Sequence, residues 1–170
     1  MKRALANLLM MAILVSLFSA VAYSIGGAGD TEWPKGVTIE LQLKLVATSD
    51  TNGQAKISGE LLVRNPGDTT LTIQDPHNRL VLTFVVFDRL GNTVRPAGRG
   101  KVDPRFRVHD LPAHATFTQR LERLEFLTGS GEFGYDLTSG KTYRVVAVYR
   151  PAGPHGPGFT SQETILEIPK

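Results

Sequence analysis

The sequence predicts an all-β fold: an antiparallel β-sandwich of about seven strands, preceded by an N-terminal signal or anchor helix. Three observations predict it. Apolar residues recur with period two in short runs rich in β-branched and aromatic residues. Turn signals built from Gly, Pro and Asn interrupt those runs at close intervals. No long amphipathic pattern and no sustained repeat runs through the 170 residues.

The chain opens with Lys2 and Arg3, then an apolar stretch from Ala4 to Ala22, then the small-residue exit Ala20-Val21-Ala22. Charged start, apolar middle and small-residue exit form the pattern of a secretory signal. The same stretch, extended to Ile25, is also long enough as a helix to cross a hydrocarbon core of about 30 Å as an uncleaved anchor. Both readings export the rest of the chain, to a periplasmic, extracellular or membrane-anchored location. Residues 1–22 are the signal or anchor, 23–36 a polar, Gly-rich linker and 37–170 the sandwich. Trp33, the single tryptophan, is expected as a packing plug at the domain edge.

Val37 to Leu45 alternates without a fault, apolar at odd and polar at even positions, as a half-buried strand requires. Asn52-Gly53 turns the chain, and it returns over Lys56 to Arg64 with Ile57, Gly59, Leu61 and Val63 on one side. Asn65-Pro66-Gly67-Asp68 is a turn, Leu71 and Ile73 alternate briefly, and Asp75-Pro76-His77-Asn78 breaks the chain again. Leu80 to Asp88 is nearly all apolar and reads as the central strand, covered on both faces. After Gly91-Asn92, Thr93 to Arg95 makes a short partner strand. Phe106 and Val108 return to period two, and Ala115 to Leu121 is a strand with Phe117 and Leu121 inward. Arg120 to Phe126 favours a short helical turn. Thr142 to Tyr149 is a late β-branched strand, Arg150 to Gly158 a loop stiffened by Pro151, Pro154 and Pro157, and Ser161 to Ile168 the last strand.

Leu137, Gly140 and Tyr143, leading into that late strand, resemble the tyrosine corner of immunoglobulin-like and fibronectin type III sandwiches. The resemblance spans about Val37 to Ile168. It implies binding, adhesion or assembly rather than catalysis, and it lacks the cysteine pair and strand tryptophan of antibody domains. Asn65-Pro66, Gly129-Ser130-Gly131 and Arg150-Pro151 also resemble, in that order, the loop motifs of chagasin-like inhibitors of cysteine proteases. In three places the motifs depart from that family, the first being that Gly129 to Gly131 precedes the tyrosine corner too closely. Gly67-Asp68-Thr69 replaces its threonine pair and glycine, and no tryptophan follows Arg150-Pro151.

Composition narrows the chemistry. With no cysteine, disulfides, a lipid-bearing cysteine, thioether haem and thiolate metal sites are excluded. All three methionines lie in the leader, which also excludes a blue-copper site. Without Lys2 and Arg3 the chain carries 17 basic against 16 acidic residues, so global charge gives no case for nucleic acid as a partner. Candidate nitrogen and oxygen ligands for a metal are His109-Asp110 with His114, and Asp75 with His77, though loop polarity explains the same residues. Ser130 sits between glycines but in no strand-turn-helix elbow, and Glu122, Glu125 and Glu132 form no nominated pair. Neither a catalytic residue nor a cofactor is therefore assigned.

Two binding surfaces remain. The turn residues Asn65, Pro66 and Asp68 and the loop residues Arg150, Pro151 and His155 are expected at one end of the sandwich, facing a protein partner. The basic run Arg95, Arg99, Lys101, Arg105 and Arg107, opposed by Asp103 alone, suits an anionic partner, or else keeps a sheet edge from pairing. The expected function is a non-catalytic binding or assembly module of the cell envelope, with membrane association through residues 4–25. The alternatives are a chagasin-like inhibitor using the Asn65 and Arg150 loops, and a metal carrier or hydrolase.

Overall fold

A computed structural model describes residues 32–49, 55–77, 80–98, 107–121, 133–135 and 137–170. The signal or anchor, most of the linker and the expected helical turn beyond Leu121 lie outside the described residues. Within them the chain is all-β and antiparallel, with no helix long and apolar enough to cross a membrane.

The strands in order are β1 (Glu40–Ser49), β2 (Ala55–Arg64), β3 (Leu71–Gln74), β4 (Leu82–Phe87), β5 (Thr93–Val94), β6 (Pro96–Gly98), β7 (Val108–Leu111), β8 (Thr116–Leu121), β9 (Phe133–Tyr135), β10 (Thr142–Tyr149), β11 (Phe159–Thr160) and β12 (Thr164–Glu167). One sheet has the order β1-β2-β8. The other has β11-β10-β4-β5, with β12 also on β10. Two short ladders, β3-β7 and β6-β9, complete the set. A single hydrophobic cluster takes Leu43, Ile57, Leu61 and Val63 from the first sheet and Leu82, Phe84, Val86, Val145 and Leu166 from the second, an arrangement compatible with a β-sandwich.

The alternation of β1 places Leu41, Leu43, Leu45 and Ala47 against this core, and its partner β2 buries Ile57, Leu61 and Val63. Glu40 faces Arg64 directly across the ladder, 2.9 Å apart, on the exposed side. Gly59 sits opposite Leu45, where an added Cβ would lie 2.0 Å from the Lys44 carbonyl oxygen. Glycine here is a requirement of close strand approach.

The centre of the second sheet differs from the sequence expectation. In β4, Leu82, Phe84 and Val86 are buried, but Thr83 is exposed and Val85 and Phe87 are half-buried. The strand beyond it, β5, is two residues long and pairs only with Val86 and Phe87. The strand covered on both faces is β10, buried without a break from Val145 to Tyr149. It pairs with β4 on one side and with β11 and β12 on the other. The last strand is shorter than expected, Thr164–Glu167, and is preceded by the separate β11. Ser161 stands between the two, its Oγ accepting from the Ala147 N–H and its own N–H donating to the Ala147 carbonyl, each at 3.0 Å.

Three buried tyrosines tie these layers together. Tyr143 Oη accepts from the Thr138 N–H at 2.9 Å, the bond expected of a tyrosine corner. Tyr135 Oη donates to the Phe84 carbonyl at 2.5 Å, and Tyr149 Oη to the Gln74 carbonyl. Burial pushes the Tyr135 phenol up to about 12. Burial, and then the Asp75 charge, push that of Tyr149 up further. A phenol whose folded value is raised stabilises the fold fully below its unfolded value near 10, and that contribution is lost as pH rises toward the folded value. Thermal melts are therefore expected to hold level up to about pH 9 and fall steeply above about pH 10. A melting temperature flat to pH 12 would contradict the assignment.

Candidate functional site

The loop 150–158 carries two successive turns. Gly153 N–H donates to the Arg150 carbonyl at 3.1 Å and Gly156 N–H to the Gly153 carbonyl at 3.0 Å. Gly153 takes φ 118°, and a Cβ on Gly156 would meet that of Ala152 at 2.8 Å. Both turns thus need glycine, one for backbone conformation and one for space. The base of the loop is fixed: Arg150 N–H donates to the Val81 carbonyl at 2.7 Å, and Gln74 N–H to the Pro151 carbonyl at 2.8 Å. Pro151, Ala152 and Gly153 are buried and Arg150 is half-buried, whereas His155, Pro157 and Gly158 are exposed. Gly158 lies back over the sheet, where an added Cβ would be 3.7 Å from Val148 Cγ1. The loop presents an exposed tip on a buried, hydrogen-bonded base.

Beside that base stands a corner built on Asp75. Its Oδ1 accepts from the His77 N–H at 2.9 Å and lies 2.8 Å from His77 Nδ1. Its Oδ2 lies 3.4 Å from His109 Nε2. The far nitrogen of His77, Nε2, is 2.7 Å from Gln119 Nε2, which also donates to the Arg120 carbonyl at 2.7 Å. With Nδ1–H given to Asp75, Nε2 of His77 is the acceptor of the Gln119 amide. His109 stacks on Phe117, ring centroids 5.2 Å apart. Burial pushes the Asp75 carboxyl up, but the His77 backbone N–H, its imidazole and His109 together hold it below the usual carboxylate range.

The Asn65 turn follows Arg64, which pairs with Glu40 at the start of β1. Asn65 is fully buried. Its Nδ2 donates to the Thr69, Leu111 and Pro112 carbonyls at 2.7, 3.1 and 3.0 Å, and its Oδ1 accepts from the Gly67 N–H at 3.0 Å. The amide joins the β2-β8 ladder to the β3-β7 ladder, while the Asn65 N–H, donating to the Ala115 carbonyl, extends the β2-β8 pairing by one residue. Pro66 is half-buried. Asp68 is exposed and pairs with His114 Nε2 at 3.0 Å. His114 has φ 60°, the left-handed turn that lets β7 pass into β8. Gln74, the last residue of β3, touches the Arg150 loop, and the other three residues of β3 lead back to the Asn65 turn.

Asp75 and His77 therefore converge, and His109 joins them instead of His114. Among the described residues, no group of three or more His, Cys, Asp or Glu side chains is placed to hold a metal ion. Of the basic run, Arg95 and Arg107 are exposed. Arg99, Lys101 and Arg105 lie outside the described residues, as do Ser130, Glu122, Glu125 and Glu132. No protein-family model matches the chain. No curated protein matches it either.

Sequence reasoning missed Gln74, Gln119 and the role of His109. The register Ile73↔His109 across β3-β7 brings His109 beside the residues that follow Ile73, and no local pattern signals that pairing. A period-two reading of β8 does put Gln119 on the inward face with Phe117 and Leu121. A polar residue on an apolar face was the available signal.

Proposed function

We propose that this chain is an exported, non-catalytic, immunoglobulin-like binding or assembly module of the cell envelope, either released or held by residues 4–25. It meets a protein partner with the tip of loop 150–158 and the adjoining His77 corner. The immunoglobulin-like reading is supported by strand order: β1-β2-β8 against β12/β11-β10-β4-β5 follows the order A-B-E against G-F-C-C′. The Tyr143 corner supports it as well. The observation that carries the binding reading is the loop itself. Two glycine-dependent turns on a buried, hydrogen-bonded base fix the exposed tip in advance, so little entropy is lost on association. The His77 imidazole bears on catalysis. Its second nitrogen is occupied by an amide, where an activated nucleophile would have to stand.

The test is chemical crosslinking in the native host followed by purification of the chain. In one variant a short Gly-Ser turn replaces residues 150–158; a second, His155→Glu, leaves the loop base intact. Loss of a reproducible crosslinked partner in a variant with an unchanged melting temperature supports the reading. The same partner, captured equally by both folded variants, refutes it.

A further inference from the structure

The chain enters the folded unit at the end that carries loop 150–158. Trp33 packs on Phe159, ring centroids 5.7 Å apart and planes at 57°, and its Nε1 donates to the Val37 carbonyl at 3.0 Å. Phe159 pairs with Tyr149, so this contact lies where the loop rejoins the sheet. Lys35 stands in the turn closed by Val37 N–H on the Pro34 carbonyl at 3.3 Å. From Tyr149 the path continues to Arg150, to Pro151 held by Gln74, and to Arg107, whose carbonyl accepts from the Asp75 N–H at 2.7 Å. Lys35, Arg150 and Arg107 thus lie along one connected band. Lys35 and Arg107 are exposed, and Arg150 is half-buried with its stem along Gly158. Among the described residues none of the three forms an ion pair. The acids at this end are Glu32, Glu40, Asp68 and Asp75; Glu40 pairs with Arg64, Asp68 with His114, and Asp75 has His77 and His109 on its two oxygens.

We infer that this end faces an anionic bilayer surface, with Lys35, Arg107 and Arg150 toward phosphate-bearing headgroups, while residues 4–25 remain in the membrane. The inference rests on the tethered form of the proposed module, and in that form it puts the bilayer, in place of a protein, against this end. Residues 26–32 span at most about 25 Å when fully extended. The entry end is thereby kept near the surface, and the β4-β5 hairpin stands beyond it by the length of β4, about 20 Å. Three cations bind anionic lipid weakly when free. On a short tether they act at high effective concentration and decide whether the entry end lies on the surface or hangs free of it.

The absence of cysteine allows single labels to be placed cleanly. Full-length His155→Cys and Leu90→Cys chains, each carrying a fluorophore, are reconstituted into vesicles that contain headgroup-quencher lipid, with or without phosphatidylglycerol. Leu90 is 85% exposed on the opposite hairpin, so its label probes the far end without disturbing the core. In anionic vesicles the His155 label is expected to be quenched several-fold more than the Leu90 label. That excess should shrink in high salt, in neutral phosphatidylcholine, and in a Lys35→Gln, Arg107→Gln, Arg150→Gln background. Equal quenching at the two sites, or a His155 signal indifferent to salt and lipid charge, overturns the inference alone. Failure of the intact chain to float with vesicles in high salt overturns the tethered form and the inference together.

Discussion

Asn65→Ala is expected to lower stability by about 3 kcal/mol, a fall in melting temperature of roughly 6–12 °C for a domain of this size. The side chain is fully buried and joined to four backbone groups. A neutral hydrogen bond contributes on the order of 1 kcal/mol, and an unsatisfied buried partner costs at least as much. Alanine removes both amide protons from three carbonyls and the acceptor from Gly67 at once. Asn65→Asp is expected to be worse than alanine despite its shape, because a carboxylate has no proton to give the Thr69, Leu111 and Pro112 carbonyls and brings a charge into a buried site. Chemical denaturation of the two variants beside the wild type checks this. A loss below about 0.5 kcal/mol, the size of an ordinary surface substitution, would show that Asn65 does not join the ladders.

Gly59→Ala is expected to cost about 3 kcal/mol, although alanine is otherwise the better strand residue. Its Cβ would stand 2.0 Å from the Lys44 carbonyl oxygen and 2.8 Å from Leu45 Cδ2. The first obstacle is backbone in the paired strand, so relief requires β1 to move away over its whole ladder with β2. Gly67→Ala is the matched control. Its nearest neighbour would be Asn65 Oδ1 at 3.4 Å, an ordinary contact, and the change should lie within about 0.5 kcal/mol of wild type. Equal denaturation midpoints for the two variants would sink the steric account of Gly59.

The legible parts of the fold were those that a few neighbouring residues determine. Period-two alternation placed β1 and β2 with their inward faces correct, and Leu137, Gly140 and Tyr143 marked a corner whose bond spans five residues. The misreading of the centre has a physical source. An apolar run reports that a strand is buried but not what covers it. The outer face of Leu82 to Phe87 lies near a two-residue strand, while Val148 in β10 is covered by a Pro- and Gly-rich loop that folds back on it. Composition reads such a loop as exposed. At the candidate site, the existence of the loop 150–158 was legible from its prolines and glycines. The His109–Asp75 approach was not, since it depends on a ladder between residues more than thirty positions apart. Asn65 drew attention through its Asn-Pro turn, yet its side chain points inward, because the same amide that favours turns can satisfy backbone groups where two ladders meet.

The pairing of β10 also bears on how fast the domain forms. Its partner β4 lies about sixty residues earlier in the chain, as Val146 faces Val85, and β2 finds β8 over a similar span, as Leu61 faces Gln119. Closing such loops costs entropy before any core contact repays it, which puts domains of this topology on a millisecond-to-second folding scale. Among the described residues, the β1-β2 and β4-β5 hairpins and the β10–β12 segment are the pairings local enough to form early. In the proposed exported form, that delay would keep the chain threadable across a membrane and close the core once β10 has arrived to join β4.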